Sequence, residues 1–216
     1  MVDIVWQGHA CFLLRDAANS LIFDPFRGVG LPEPTAKADI ILCSHSHSDH
    51  NNAAAVRHGK SVVLEGFTGA KQIGNVSIKG VPTFHDDAQG GKRGRNSIYI
   101  VGFDGVNFCH LGDLGQLLSP QQIGEVGSID VLFLPVGGFY TIDPDEARKI
   151  MESLRPRIAV PMHYRLPGMS DVFDGLSTVK DFIRRDYNIK RLEGPSFTVN
   201  KTDLPEKTLI IIPKLV

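Results

Sequence analysis

Cysteine is scarce in this sequence. Its 216 residues include three cysteines, Cys11, Cys43 and Cys109, and no two of them form a C-x-x-C pair. An odd number of widely spaced cysteines argues against a disulfide framework and against a cysteine zinc site. Because each thiol lies within an apolar stretch, the sequence predicts three buried free thiols.

An excess of charge of one sign is also lacking. Lys and Arg total 23, Asp and Glu total 24, and the formal net charge is −1 at pH 7. Such a chain has no field that would attract nucleic acid or an anionic membrane. No apolar run approaches the roughly 20 residues that cross a bilayer, and "MVDIVWQGHACFLL" lacks the basic lead of a signal peptide. We therefore expect a cytoplasmic protein without a membrane span, and nucleic acid is not an expected partner.

Short strand-like segments dominate the sequence. Apolar and β-branched runs predict strands at 3–7, 11–15, 20–25, 38–44, 61–66, 76–81, 97–103, 106–112, 130–136 and 157–164. The run "ADIILCS" at 38–44 is apolar throughout, which is typical of a strand buried on both faces. Because helices enter mainly in the second half, we predict one α/β (α+β) domain over residues 1–216, with two sheets face to face and helices outside.

One helix has a strong N-terminal signal. In "DPDEARKIMESL", residues 143–154, Asp143 can cap, Pro144 suits the first turn and Glu146 completes a capping box. The apolar residues that follow recur at helical spacing, so this helix is predicted to pack on a sheet.

Weaker patterns concern three other segments. Helix formers predict a helix over 51–59, ended by Gly59, and a second helix over 177–187. The strand-like segments 196–200 and 208–213 could pair as a closing hairpin. These predictions depend on local pattern alone.

The segment "HSHSDH" concentrates three of the eight histidines at residues 45–50. Neutral imidazole is the commonest metal ligand, and carboxylates complete such sites. On an extended segment His45 and His47 would share one side and could reach one ion. Asp49 and His50 follow and could point toward a second position beside the first. The spacing therefore predicts a two-metal site, and the alternative is a polar loop whose histidines face solvent.

This H-x-H-x-D-H spacing resembles the signature of the metallo-β-lactamase-fold hydrolases. Members of that family carry an Asp at a strand end, the motif, a later His, an Asp usually preceded by Gly, and a final His. The chain has the same order in "LIFDP", "HSHSDH", "PTFHDD", "HLGDLG" and "VPMHY". The match spans residues 9–165 and implies a four-layer αββα sandwich with its site at one edge.

The resemblance also implies roles for individual residues. It assigns three ligands to a first metal ion, His45, His47 and His85. It assigns three ligands to a second ion, Asp49, His50 and His163. Asp113 would bridge the two ions, and Asp24 would orient the loop or a ligand from behind. Two ions would share a hydroxide of lowered pKa, which Asp49 could orient or deprotonate. Zinc is the default for a His/Asp set, although manganese and iron accept the same ligands.

Finer features resemble the lactonase-like branch of the family, which includes ascorbate 6-phosphate lactonase and small zinc-dependent hydrolases. The segments that carry this likeness are "GHACF", "RGRNSIYIV", "CHLGDLG" and "LPVGGFYT". The branch implies hydrolysis of an ester or lactone bond in a small substrate, anionic substrates included. Ribonuclease Z and the larger nucleases fit less well, because 216 residues leave little room for their additional arm or domain.

Two histidines are additional to the motif, and with Asp49 they are the candidate catalytic residues. His9 could line the mouth of the site or cap a turn after Gly8. His110 could be a core histidine, a substrate-facing residue, or a metal ligand in place of His85.

The segment "DDAQGGKRGRN" at 86–96 follows a predicted ligand, and its glycines indicate a mobile loop over the site. Its basic residues could attract a phosphate or carboxylate of the substrate, although a solvent-facing charge run is the alternative. The candidate substrate contacts in this loop and near the final ligand are Arg93, Arg95, Tyr140, Thr141, Tyr164 and Arg165.

Three functional hypotheses follow. The first is a dinuclear hydrolase of esters or lactones. The second is a phosphodiesterase with the same site, acting on a nucleotide, nucleic acid or phospholipid. The third is a non-catalytic metal or ligand sensor. The sequence does not set the oligomeric state, and a homo-oligomer is compatible with it.

Overall fold

The computed structural model describes residues 1–215. These residues form fourteen strands: β1 (Val2–Gly8), β2 (Cys11–Arg15), β3 (Ser20–Phe23), β4 (Ala38–Cys43), β5 (Arg57–Glu65), β6 (Gly69–Ile73), β7 (Val76–Phe84), β8 (Arg95–Phe103), β9 (Val106–His110), β10 (Val131–Pro135), β11 (Ile158–Met162), β12 (Ile189–Arg191), β13 (Ser196–Val199) and β14 (Leu209–Ile212). Their four α-helices are α1 (Ala53–Val56), α2 (Pro120–Val126), α3 (Pro144–Leu154) and α4 (Val179–Phe182).

The strands form two mixed sheets. The first sheet has the order β13-β1-β2-β3-β4-β5, and the second has the order β12-β14-β11-β10-β9-β8-β7-β6. In the first sheet β1, β3 and β4 run in one direction, because β2 is antiparallel to both of its neighbours. In the second sheet β7, β9, β10 and β11 likewise share one direction. Each sheet therefore brings the ends of several strands to the same edge.

The main core lies between the two sheets. The rings of Phe12 on β2 and Phe133 on β10 stack with centroids 4.1 Å apart, which joins the inner faces. Strand β4 is buried on both faces, as predicted: Ile40 and Leu42 belong to the main core, while Ile41 and Cys43 belong to a smaller cluster outside the first sheet. Helix α1 contributes to that outer cluster, and α3 packs on β10. The predicted αββα sandwich is confirmed.

Helix α3 begins where its capping signal predicts. The Asp143 carboxylate accepts the backbone N–H of Glu146 at 2.8 Å, and the Glu146 carboxylate accepts the N–H of Asp143 at 3.0 Å.

The prediction of three buried free thiols is also confirmed, since all cysteines are unpaired and buried.

Two predicted helices are much shorter than expected. The segment 51–59 forms only α1, and its end belongs to β5, because Arg57 pairs with Ala38 of β4. The segment 177–187 forms only α4. The Arg148 guanidinium of α3 donates to the carbonyls of Asp181 and Phe182 at 3.0 and 2.9 Å, and the chain then turns away.

The predicted closing hairpin is wrong. Strand β13 pairs with β1 in the first sheet, and β14 lies between β11 and β12 in the second. The segments at 196–199 and 209–212 therefore belong to different layers. Local pattern shows that each is a strand, but its partner is chosen by the tertiary packing.

Within residues 1–215 no helix is long and apolar enough to cross a membrane.

Candidate metal centre

The predicted ligands, together with His9 and Asp24, all follow the ends of strands that share one edge of the molecule. His9 follows β1, Asp24 follows β3 and the 45–50 segment lies just past β4, all in the first sheet. In the second sheet His85 follows β7, Asp113 comes after β9 and His163 follows β11. Residues far apart in the sequence are thereby brought to one place by the parallel direction of these strands.

Three histidines form one candidate metal position with Asp113, here called the first metal position (His45, His47, His85 and Asp113). The Nε2 atom of His45 lies 3.1 Å from Nδ1 of His47. The Nε2 atom of His85 lies 3.2 Å from Oδ2 of Asp113, and that of His45 lies 3.9 Å from the same oxygen. Ligands bound to one zinc ion at 2.0–2.1 Å in a tetrahedron are about 3.4 Å apart. The spacing suits one small divalent ion.

A second metal position includes the same carboxylate (Asp49, His50, His163 and Asp113). The Nε2 atoms of His50 and His163 lie 3.1 and 3.2 Å from Oδ1 and Oδ2 of Asp113, respectively. Oδ2 of Asp49 lies 3.7 Å from Nε2 of His50. Asp113 therefore faces both groups of histidines, as a bridging ligand requires.

The residues present fit divalent cations. Among the buried atoms of residues 1–215 that have no hydrogen-bond partner are Nε2 of His50, Nε2 of His163 and Oδ1 of Asp113. The short distance between His50 and Asp113 is not aligned for a hydrogen bond, so it does not satisfy either atom. Buried polar atoms are normally paired, and unpaired histidine and carboxylate atoms this close to one another are what an ion-binding site presents.

Asp24 and Ser44 hold two of the ligands from behind. Oδ2 of Asp24 lies 2.8 Å from Nδ1 of His50 and accepts the hydroxyl of Ser44 at 2.7 Å. The Ser44 hydroxyl oxygen lies 2.9 Å from Nδ1 of His45. Since the serine donates its proton to Asp24, it accepts one from His45. Both imidazoles are thus fixed with hydrogen on Nδ1, which leaves Nε2 free for a metal.

Asn96 positions the central carboxylate through the backbone. Its side-chain oxygen accepts the N–H of Asp113 at 3.0 Å, and its amide group donates to Thr83 and to the Leu111 carbonyl at 2.8 and 2.9 Å. Sequence reasoning did not single out Ser44 or Asn96. Nothing in the local pattern marks Asn96, because its partners are 13–17 residues away.

The charges of the site oppose one another strongly. Burial favours the neutral form of His50, but the nearby Asp113, Asp49 and Asp24 carboxylates outweigh it and raise the His50 pKa well above its usual value. Burial and then the His50 charge lower the pKa of His45 to about 3. Burial would raise the pKa of Asp113, but His163, His50 and the other histidines hold it well below its usual range. The central carboxylate is therefore ionised, as a metal ligand must be.

His110 lies outside both metal positions. Its Nδ1 accepts the backbone N–H of Gly112 at 3.1 Å, and its Nε2 lies 2.8 Å from the Ala10 carbonyl oxygen. The ring is buried and stacks on Phe23 with centroids 4.8 Å apart. Both nitrogens are engaged by backbone groups, which is the arrangement of a core histidine. A catalytic role for His110 stays a prediction that this geometry does not favour, and it is His85 that lies beside His45 and His47.

Glycine is required at position 112, where the segment after β9 passes close to Asn96 and to Ser44. Gly112 has φ +56°, and a Cβ there would lie 2.3 Å from Oδ1 of Asn96 and 2.5 Å from Cβ of Ser44. A side chain at this position would displace the two residues that hold Asp113 and His45 in place.

Solvent reaches the centre from the side of His47 and Asp49. The His47 side chain is exposed and that of Asp49 is 25% exposed, whereas His45, His50, His85 and His163 are buried. A substrate would therefore approach from the side of the motif loop.

The 86–95 loop is more ordered than its glycines predict. The buried Asp86 carboxylate accepts the backbone N–H groups of Ala88, Gly90, Lys92 and Arg93 at 2.7–3.0 Å. Burial favours the neutral acid, but these four donors outweigh it and lower the Asp86 pKa to about 2. One ionised side chain therefore organises the whole loop, a feature that the sequence analysis missed.

Two of the predicted substrate contacts lie together beside the loop after β10. The Arg93 guanidinium donates to the Phe139 carbonyl at 3.2 Å and lies 5.3 Å from the centre of the Tyr140 ring. The Tyr140 hydroxyl donates to the Val172 carbonyl at 2.8 Å, and the Phe139 side chain is 62% exposed. A basic and aromatic surface thus lies at the same edge as the metal positions.

The other predicted substrate contacts are more scattered. Arg95 is exposed at the start of β8, and Thr141 is partly buried in the loop after β10. Tyr164 is buried with its ring 5.8 Å from that of Trp6, and Arg165 pairs with Asp174 at 2.5 Å.

Tyr164 and Arg165 also line a cavity of about 1030 Å³ with Trp6 and Leu192. In the described part of the chain, none of the candidate ligands lines this cavity. Whether any of these residues contacts a substrate stays a prediction.

Comparison with known proteins places this geometry in a family. Residues 3–163 match the family model described as a beta-lactamase superfamily domain. A UPF0173 metal-dependent hydrolase of Archaeoglobus fulgidus is 35% identical over 76% of this chain and 83% of its own length. A Thermococcus onnurineus protein of the same description is also 35% identical, over 76% of this chain and 85% of its own.

Solved structures similar to this chain are also described as hydrolases of this kind. A Thermotoga maritima structure, described as a Zn-dependent hydrolase of the metallo-β-lactamase superfamily, has a TM-score of 0.81 at 34% identity and covers 99% of this chain and 100% of its own. The metallo hydrolase Igni18 of Ignicoccus hospitalis has a TM-score of 0.60 at 25% identity, over 81% and 88% of the two chains. The chain therefore belongs to the metallo-β-lactamase superfamily of metal-dependent hydrolases.

Proposed function

We propose that this protein hydrolyses an ester or lactone bond of a small substrate at a dinuclear metal centre. The observation that carries the proposal is the position of Asp113, whose carboxylate lies within 3.1–3.2 Å of Nε2 of His50, His85 and His163. A single carboxylate between two sets of imidazoles suits two ions side by side. Zinc is the first candidate for these ligands, with manganese and iron as alternatives.

When bound, divalent cations at these positions would supply Lewis-acid polarisation of the substrate and an activated water nucleophile. The residues of the chain hold and orient this centre. Asp24 and Ser44 hold the Nδ1 atoms of two ligands, which turns their Nε2 atoms toward the centre, and Asn96 holds the backbone of Asp113.

Asp49 is the residue best placed to handle a proton. Burial would raise its pKa, but the nearby imidazoles of His50 and His9 outweigh burial and hold that pKa below its usual range. The carboxylate is therefore ionised and partly exposed, and it can accept a hydrogen bond from an incoming water.

The experiment begins with metal content. We expect about two ions per chain by mass spectrometry on protein purified without chelator or affinity metal. Loaded protein is then screened with lactones, aryl esters and bis(p-nitrophenyl) phosphate, with an Asp113→Asn variant as the control. Turnover of an ester or lactone that disappears on chelation and returns with metal would support the proposal.

The alternatives correspond to other results of the same screen. Turnover of the phosphodiester alone would favour the phosphodiesterase hypothesis. The basic loop supports this hypothesis less than the sequence suggested, because Lys92 pairs with Asp87 at 2.7 Å and Arg93 donates to a backbone carbonyl. A fully metallated protein that binds small molecules and converts none would favour the sensor hypothesis.

A further inference from the structure

His9 is a buried histidine that the family motif does not use. It is fully buried, whereas one prediction placed it at the mouth of the site. Within residues 1–215, neither of its ring nitrogens has a hydrogen-bond partner. Leaving a buried polar atom unpaired is energetically unfavourable. A buried imidazole with two unpaired nitrogens therefore requires an explanation.

The ring of His9 lies against the second metal position. Its centroid is 4.2 Å from that of His163 and 4.9 Å from that of His50. Its Nε2 lies 3.5 Å from Oδ2 of Asp49, which is long for an N–H···O hydrogen bond. One ligand atom from each of these four residues lies within 4.8 Å of every other. The four atoms can therefore surround a single ion.

The backbone holds the ring in this place. His9 has φ +50° directly after Gly8 at φ +103°, a left-handed conformation in the turn that joins β1 to β2. The His9 carbonyl accepts the indole N–H of Trp6 at 3.1 Å and the backbone N–H of His163 at 3.3 Å. Such strained backbone persists only where the surroundings enforce it, and it often occurs at functional sites.

Aromatic rings cover other parts of the His9 ring. Phe26 and Phe173 meet it edge-on, with centroids 6.1 and 5.3 Å away. The side chain is fully buried, so it does not face a substrate from outside.

We propose that Nε2 of His9 is an additional ligand at the second metal position, beside Asp49, His50 and His163. This inference rests on the proposed metal centre and extends its ligand set. The second position then has three imidazoles of its own, as the first position does.

A metal-loaded crystal structure of the unaltered protein tests the contact directly. We expect Nε2 of His9 at about 2.1 Å from the ion beside Asp49. A distance beyond about 3 Å in a fully loaded site would overturn the assignment.

Two variants test its energetic consequence. Asn tolerates left-handed backbone but is too short to reach the ion, so His9→Asn removes the ligand with little strain. His9→Phe keeps the ring volume and removes both nitrogens. In competition titrations with a chromophoric chelator, we expect both variants to bind one of the two ions at least about tenfold more weakly. The other ion should bind as in the unaltered protein.

The matched control is His110→Asn, which removes an equally buried histidine whose nitrogens are engaged by backbone groups. We expect two unchanged metal affinities for it, whatever its melting temperature. Two wild-type affinities in folded His9→Asn or His9→Phe would overturn the proposal. An unaltered protein that binds no metal would instead contradict the proposed function itself, so the two failures are distinguishable.

Discussion

Oδ2 of Asp24 lies 2.8 Å from Nδ1 of His50, although 26 residues separate them in the sequence. The same carboxylate accepts the backbone N–H and the hydroxyl of Ser44 at 2.7 Å each. One side chain behind the site thus fixes the motif loop and the tautomer of a ligand.

This relationship predicts the effect of Asp24→Asn. Asn tolerates the left-handed backbone of this position, where φ is +42°, but it cannot accept hydrogen bonds from all three partners. We expect metal affinity to fall by about 10–100-fold, as for other residues that orient a ligand. Asp39→Asn is the control, because that carboxylate bonds Ser20 and His58 at the surface. Equal affinities in the two variants would contradict the role of Asp24.

Asp113→Asn should show whether Asp113 is needed for the binding of a second ion. An amide has one oxygen to offer, so it cannot bridge two cations as the carboxylate does. We expect the metal content to fall from about two ions per chain toward one, and hydrolysis to fall with it. Mass spectrometry and the substrate screen measure both quantities. Full activity with two tightly bound ions would mean that Asp113 is not a bridge.

Metal removal should destabilise the fold. An ion present at 100 times its dissociation constant stabilises the native state by about 2.7 kcal/mol. For a chain of this size that corresponds to a rise in melting temperature of roughly 5–10 °C per ion. Calorimetry with and without chelator measures the shift, and a smaller shift is expected for Asp113→Asn. An unchanged melting temperature would argue against both metal positions.

Metal binding should release a proton from His50. Its raised pKa means that the metal-free imidazole stays protonated at neutral pH, and ligation requires Nε2 without hydrogen. We expect release of about one proton at pH 7, declining to none as the pH rises through the raised pKa. His45 should release no proton at pH 7, because its pKa is lowered to about 3 and its ring is already neutral.

Calorimetric titration in two buffers with different ionisation enthalpies measures this release. Asp24→Asn should reduce it, because it removes one of the carboxylates that raise the His50 pKa. An apparent enthalpy that is the same in both buffers would contradict the prediction.

Gly112→Ala should damage the site and not only the turn. Alanine at φ +56° costs about 1–3 kcal/mol in backbone strain, and its Cβ would also push Asn96 away from Asp113. Gly105→Ala is the matched control, since Gly105 has φ +75° with no atom within 4 Å of an added Cβ. We expect similar strain in both variants but weaker metal binding only for Gly112→Ala. Chemical denaturation and metal titration separate the two effects.

Several elements were predictable because their signals are local. The capping box of α3 and the continuous apolar run of β4 each depend on residues within a few positions. Helix α2 also has a local signal, a Ser119–Gln122 capping box with Pro120 at its start. The sequence analysis missed that signal, although it was present.

Other elements could not be predicted because distant residues decide them. Arg148 of α3 binds the last carbonyls of α4, so the helical pattern of 177–187 does not continue. The strand at 196–199 (β13) pairs with β1, which provides an edge of the first sheet, and does not pair with β14, the next strand in the sequence.

The sequence by itself determined the kinds of ligand, their order along the chain and the local pairing of His45 with His47. Only the tertiary structure decided that His85 faces Asp113 while His110 is satisfied by backbone groups, and that His9 lies buried against the second metal position. The reason is physical. Ligand chemistry is a property of each side chain, whereas the burial and direction of an imidazole depend on which strands of two sheets end at the same edge.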